Sequence, residues 1–206
     1  MSTRTIAVVS AGLSNPSSTR LLADRLTAAT VAALADRGIA ATVEVVELRE
    51  HARDLADGLL TGFANKPLQA AVDTVVGADA VIAVTPIFSA SYSGLFKTFF
   101  DVLDKDALVG TPVLMGATAG TARHSLALEH ALRPLFAYLR ATVVPTAVFA
   151  AAEDWAGAGE AGRALADRVA RAAGELADLV AGRPPAGPVD PFADPVGSFE
   201  DLLRGS

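Results

Sequence analysis

Five apolar runs punctuate the chain, at 5–10, 39–48, 80–85, 111–116 and 142–150. Between them lie longer segments whose apolar residues recur every three to four positions. The first run is a short buried strand. Leu21, Leu22, Leu26, Ala29, Val31 and Leu34 then give 17–37 the apolar face of a helix, and Gly38 is a natural stop. The run 39–48 is β-branched and loosely alternating, so it predicts a second strand. The segment 49–60 is ambiguous, partly helical and charged, a surface excursion broken by Gly62, Asn65 and Pro67. A short helix over 68–76 ends at Gly77. The run 80–85 is apolar throughout, as a strand buried on both faces must be, and Pro86 stops it. A loop to Ser93 leads into a helix over 94–103. The fourth strand, 111–116, is followed by a small-residue loop, 117–121. A long helix over 122–139 is bent by Pro134. The last strand precedes an alanine-rich helix, 158–180.

Strands alternating with helices imply right-handed crossovers and a parallel sheet covered on both faces. Five strands fit a doubly wound α/β fold of flavodoxin-like order, 2-1-3-4-5, in a single domain over 1–181. From 182 the composition changes. Prolines at 184, 185, 188, 191 and 195 exclude a helix or a central strand. The stretch 182–206 reads as a tail with Phe192, Phe199, Leu202 and Leu203 as apolar handles. A disordered end and an arm that packs on a partner subunit are equally consistent with it.

The net charge of −6, with no basic run, argues against nucleic acid as a partner. No apolar run reaches membrane-spanning length, and no signal peptide is visible, so the cytoplasm is the expected compartment. The absence of cysteine excludes disulfides, a thiolate nucleophile and Cys-ligated metal. His51, His124 and His130 have no metal-ligand spacing. The segment 90–94 is not a nucleophile elbow, so no hydrolytic triad and no catalytic acid–base pair is assigned.

Chemistry concentrates in loops. After the first strand, which ends at Ser10, comes Ala11-Gly12-Leu13-Ser14-Asn15-Pro16-Ser17-Ser18-Thr19. A strand that turns through small residues into a helix start is a ready anion site. The first helical N–H groups lack intrahelical partners, and the dipole's positive end lies there. Ser17, Ser18 and Thr19 add hydroxyl donors. The pattern is neither a Walker loop nor a dinucleotide fingerprint. A phosphate monoester fits it best, and simple helix capping explains the same serines. In the expected topology this loop, the one after Pro86 and the one at 117–121 all fall on one rim, at the switch point of the sheet.

The loop after the third strand reads Pro86-Ile87-Phe88-Ser89-Ala90-Ser91-Tyr92-Ser93-Gly94-Leu95-Phe96-Lys97-Thr98-Phe99-Phe100-Asp101. It resembles the second flavin loop of the NAD(P)H-dependent FMN reductases, Pro-x-Tyr-Asn-x-Ser-x-x-Gly-x-x-Lys-Asn-x-x-Asp. Pro86, Ser91, Gly94, Lys97 and Asp101 keep that spacing. Ser17 and Thr19 fall where the family binds phosphate, and Thr118-Ala119-Gly120 resembles its Thr-Gly-Gly loop. The resemblance spans roughly 4–150. It is closest to the subgroup that supplies reduced FMN to flavin-dependent monooxygenases.

That resemblance implies FMN and NADPH or NADH as cofactors, and a homodimer or homotetramer. It implies FMN contacts from Ser10, Ser17, Ser18, Thr19, Pro86, Ile87, Phe88, Ser89, Thr118, Ala119 and Gly120. Two departures stand out. The family's Tyr-Asn pair is Phe88-Ser89, and the usual arginine of the first loop is replaced near Ser14. The phosphate is then held mainly by N–H and hydroxyl groups, which bears on FMN affinity and suits release of reduced flavin. Arg123 is a candidate for an NADPH phosphate, with His124 beside it; an ordinary surface histidine at a helix start is the plainer reading of the latter. Lys97 and Asp101 are spaced for a local i, i+4 ion pair. Phe96, Phe99 and Phe100 form an aromatic patch, read either as core packing or, slightly favoured, as a helix face that meets a second subunit as in family dimers. An electron carrier of flavodoxin type, or a quinone, azo or metal-ion reductase, remains open on the same fold.

Overall fold

The computed structural model describes residues 3–155 and 159–184. Eight residues, Thr3–Ser10, form β1, which runs between β2 (Ala40–Glu47) and β3 (Ala80–Phe88). β3 turns back through the two-residue β4 (Ser91–Tyr92), and its other side pairs with β5 (Pro112–Ala119). β5 pairs in turn with β6 (Thr142–Val143) and, further along, β7 (Val148–Ala151). All pairings but the β3–β4 return are parallel. Counting β6 and β7 as one interrupted strand, the order is the doubly wound flavodoxin-like one.

Alternation along β1 sends Ile6 and Val8 to one face and Ala7 and Val9 to the other. The first face packs on α1 (Ser18–Asp36) and α6 (Glu160–Ala181) through Leu22, Leu26, Leu165 and Leu176. The opposite face is covered by α2 (Ala52–Thr61), α3 (Lys66–Val76), α4 (Gly94–Asp101) and α5 (Arg133–Tyr138). Among the described residues no helix is long and apolar enough to cross a membrane.

Several expectations are corrected. The excursion at 49–60 is ordered: a 3-10 turn, Leu48–His51, leads into α2, which buries Leu55 and Gly58. Pro86 does not end β3. Val84 accepts a hydrogen bond from Ala11 N–H on the β1 side, and Pro86, two residues on, faces the same way where β1 has already ended. A missing donor costs nothing there. β5 runs past Gly116 to Ala119 because β7 pairs with it as far as Ala151. The long helix expected over 122–139 is interrupted. A 3-10 turn, Ala122–His124, precedes a π-helical turn, Leu128–Leu132, and only then α5. Pro134 lacks an N–H and crowds the carbonyl four residues back, so the chain widens before it.

The fifth strand splits at Pro145. Arg133 donates to the carbonyls of Val144 and Pro145, and Glu175 accepts from the backbone N–H and hydroxyl of Thr146, so the break leaves these groups satisfied. For Phe96, Phe99 and Phe100 the core-packing reading holds. They are buried in this chain's own core, and Phe96 and Phe100 meet Phe136 edge-on. Lys97 and Asp101 form the expected pair at 2.5 Å. The stretch 182–206 lies outside the described residues beyond Pro184.

Candidate functional site

The three turns expected to share a rim do share it. Ala11 N–H, at the start of the first turn, donates to Val84 O at 3.0 Å. Thr19 and Thr118, from the first and third turns, share a buried hydroxyl–hydroxyl hydrogen bond of 2.9 Å. Between them opens a cleft of about 290 Å³. Its walls are Leu13, Ser14, Ser17, Ser18, Thr19, Pro86, Ile87, Phe88, Thr118, Ala119 and Gly120.

One end of this cleft is built for an anion. Ser17 is the N-cap of α1, its hydroxyl accepting from Arg20 N–H at 3.2 Å. No acidic residue occupies the first turn, so the positive end of the helix dipole is not compensated by the chain. A Cβ at Gly12 would lie 2.1 Å from Ser17 Oγ, so only glycine lets the turn pass this close to the helix start. Ser10 Oγ, fully buried at the end of β1, has no hydrogen-bond partner. A phosphate group suits this cradle, because a helix start without an acidic residue in its first turn opens on a cleft lined by Ser17 and Ser18.

The other end is braced from behind. Buried Thr85 Oγ1 accepts from Ser93 N–H at 3.1 Å, and Ser93 Oγ caps α4 by accepting from Phe96 N–H at 3.2 Å. These bonds pin both ends of the second turn. Between them, Ser89 and Ala90 form the two-residue tip of the β3–β4 hairpin with φ of +48° and +68°. That is the sign pattern of a type I′ turn, made here without glycine or asparagine. Phe88 stands at the rim, 48 % exposed, an aromatic surface free to cover a flat ring.

Nine of the sequence-derived flavin residues line the cleft: Ser17, Ser18, Thr19, Pro86, Ile87, Phe88, Thr118, Ala119 and Gly120. Ser10 lies behind it. Ser89 sits at the hairpin tip outside the lining, and Arg123 and His124 lie on the exposed turn just beyond Gly120. Leu13 and Ser14 line the cleft without having been singled out, although they belong to the same loop. Arg49 was also missed; its Nη1 donates to Ser14 O at 3.1 Å. Arg20 is committed elsewhere, to Asp24 at 2.7 Å and Glu47 at 2.6 Å. Its hydrogen bonds, to Asp24 first and then Glu47, hold its guanidinium above the usual arginine range.

Other cavities flank the fold, two of them larger than this cleft. The larger, about 680 Å³, lies between α4 and α5 against Tyr92, Lys97, Phe100, His130, Pro134 and Tyr138. It takes only Ser91 and Tyr92 from the second turn and nothing from the first or third, so size alone does not mark the site. A cleft of about 380 Å³ begins at Ala122 and is lined by Ser125, Phe149, Glu153, Asp154 and Arg168.

Comparison with known proteins agrees with this geometry. Residues 4–156 match the family model described as NADPH-dependent FMN reductase. An "FMN reductase (NADPH)" of Pseudomonas aeruginosa is 37 % identical over 180 residues, covering 86 % of this chain and 93 % of that protein. An "NADH-dependent FMN reductase SfnE" of Pseudomonas putida is 39 % identical over 168 residues, covering 82 % and 88 %. The crystal structure of an oxidoreductase from Corynebacterium diphtheriae superposes with a TM-score of 0.85 at 50 % identity, covering 88 % of this chain and 99 % of that one.

Proposed function

Because the chain belongs to the NADPH-dependent FMN reductase family and is an NAD(P)H:FMN oxidoreductase, we propose that it binds FMN across the three turns and releases the reduced flavin to a flavin-dependent monooxygenase. The observation that carries the proposal is the cleft shared by the turns, with the Thr19–Thr118 bond at its floor.

When bound, FMN supplies the hydride-accepting chemistry. The chain supplies position. The N–H groups of Ser18 and Thr19 and the hydroxyls of Ser17, Ser18 and Thr19 hold the phosphate at the positive end of α1. Backbone groups of Ile87, Phe88 and Ser89 and of Thr118, Ala119 and Gly120 would hold the polar edge of the ring. Phe88 covers an edge by stacking and has no hydroxyl to donate. Ser10 Oγ, buried and unpaired, is an additional donor behind the loop. No side chain is assigned a proton transfer; the chain's part would be to hold the flavin and the nicotinamide in place for the chemistry that the cofactors supply.

Release is favoured by what the cleft lacks. Phe88 is the single aromatic ring in the lining, whereas a tight electron carrier sandwiches its flavin between two. The neighbouring 380 Å³ cleft, with Arg123 and His124 on the exposed turn between, suits the distal half of the dinucleotide.

The proposal further assigns the reaction to the body at 1–181, with 182–206 appended, in the cytoplasm where the nicotinamide pool is available. It makes the assembly a dimer or tetramer through the α4–α5 face. There Tyr138 is 77 % exposed beside the 680 Å³ cavity. The test is anaerobic stopped-flow mixing with NADH and with NADPH, followed by rapid filtration. Flavin absorbance is expected to bleach, and the reduced flavin to pass the filter. Reduced flavin retained with the protein would overturn the release.

A further inference from the structure

We propose that Arg49, from outside the phosphate loop, supplies the cationic charge that the loop itself lacks. This rests on the reading of the 11–19 turn as the FMN phosphate site.

The turn from Ala11 to Thr19 contains no lysine or arginine. A phosphate monoester carries about −1.5 to −2 charges at neutral pH, and a helix end offers roughly half a positive charge. The deficit calls for a cation. Arg20 follows the loop but is held by Asp24 and Glu47.

Topology brings Arg49 to the same place. β2 lies parallel to β1 with Glu47 opposite Ser10, so the segments that follow these two residues leave the sheet at one rim. The 3-10 turn Leu48–His51 then carries Arg49 over the loop, where Nη1 donates to Ser14 O at 3.1 Å. Ser14 lines the cleft. Among the described residues Arg49 makes no ion pair. One of its five N–H donors is used on Ser14, and the charge is uncompensated. A guanidinium anchored by a carbonyl beside an acid-free helix start is a preorganised partner for a phosphate dianion.

A plain loop staple makes the opposite prediction, because a staple serves any flavin and a charge serves only the phosphorylated one. The experiment is therefore a fluorescence titration with FMN and with riboflavin, at low and at moderate salt. The proteins are wild type, Arg49→Gln, Arg49→Lys and, as a control for net charge, Arg53→Gln on the exposed face of α2. Wild type is expected to prefer FMN. Arg49→Gln weakens FMN binding about 10-fold or more, leaves riboflavin unchanged and flattens the salt dependence. Arg49→Lys retains part of the preference, and Arg53→Gln retains all of it. If Arg49→Gln keeps the wild-type ratio of FMN to riboflavin affinity, or lowers both affinities alike, the charge role is overturned and the phosphate site stands. If wild type binds both flavins equally, the phosphate site and this proposal fall together.

Discussion

Thr19 Oγ1 and Thr118 Oγ1 lie 2.9 Å apart, each residue almost wholly buried and 99 positions from the other in sequence. Thr19 sits in the first turn of α1, and Thr118 on the last stretch of β5. One donates and the other accepts, so the phosphate end and the ring end of the cleft are tied by a single bond.

Replacing either threonine by valine keeps the shape and strands the other hydroxyl in the core. Thr19→Val or Thr118→Val is expected to cost about 1–3 kcal/mol, the penalty of a buried unpaired polar group. The double variant costs less than the sum. Urea unfolding of the four proteins measures this coupling.

Gly12→Ala forces a methyl group to within 2.1 Å of Ser17 Oγ. Ser17 must move, and with it the cap of α1 and the start of the anion site. FMN affinity is expected to fall by about 10-fold or more, since displacing one or two charge-assisted hydrogen bonds is enough for that. The helix itself survives, because Ser17→Ala-type cap losses cost only about 0.5–2 kcal/mol. Flavin titration alongside circular dichroism separates the two effects.

Ala90 holds a φ of +68° at an exposed hairpin tip. A left-handed alanine costs about 1–2 kcal/mol relative to an unstrained residue, and glycine returns part of that in chain entropy. Ala90→Gly is therefore expected to stabilise the protein by roughly 0.5–1 kcal/mol, read as a higher urea midpoint.

At the opposite end of the strands, Arg4 Nη1 meets Asp79 at 3.0 Å with both side chains buried, and Asp79 also accepts from Thr5 N–H at 2.8 Å. Asp79→Ala removes the carboxylate from a buried guanidinium. A loss of about 3–5 kcal/mol is expected, with flavin affinity of the folded fraction unchanged. Thermal unfolding and flavin titration check both halves.

Much of this was legible in the sequence. The unbroken apolar run at 80–85 marks a strand covered on both faces, and the small-residue turns after the first, third and fourth strands mark the rim. The failures are tertiary. Pro86 sits harmlessly inside β3 only because β1 has ended beside it. Phe96, Phe99 and Phe100 left core packing and a subunit contact both open, because the choice needs Phe136 seen against them. The β3–β4 return that carries Ser89 at its tip was not legible either, because a two-residue strand is too short to announce itself. Arg49 could not be found from local pattern at all. It reaches the loop through the β1–β2 register and the turn that follows, which only the assembled sheet defines.

The most direct measurement is a crystal structure of the protein with FMN. The account predicts the phosphate within hydrogen-bond distance of the N–H groups of Ser18 and Thr19, and the ring between Phe88 and Gly120. Flavin seated in the cavity between α4 and α5, or with its phosphate turned away from α1, would contradict it.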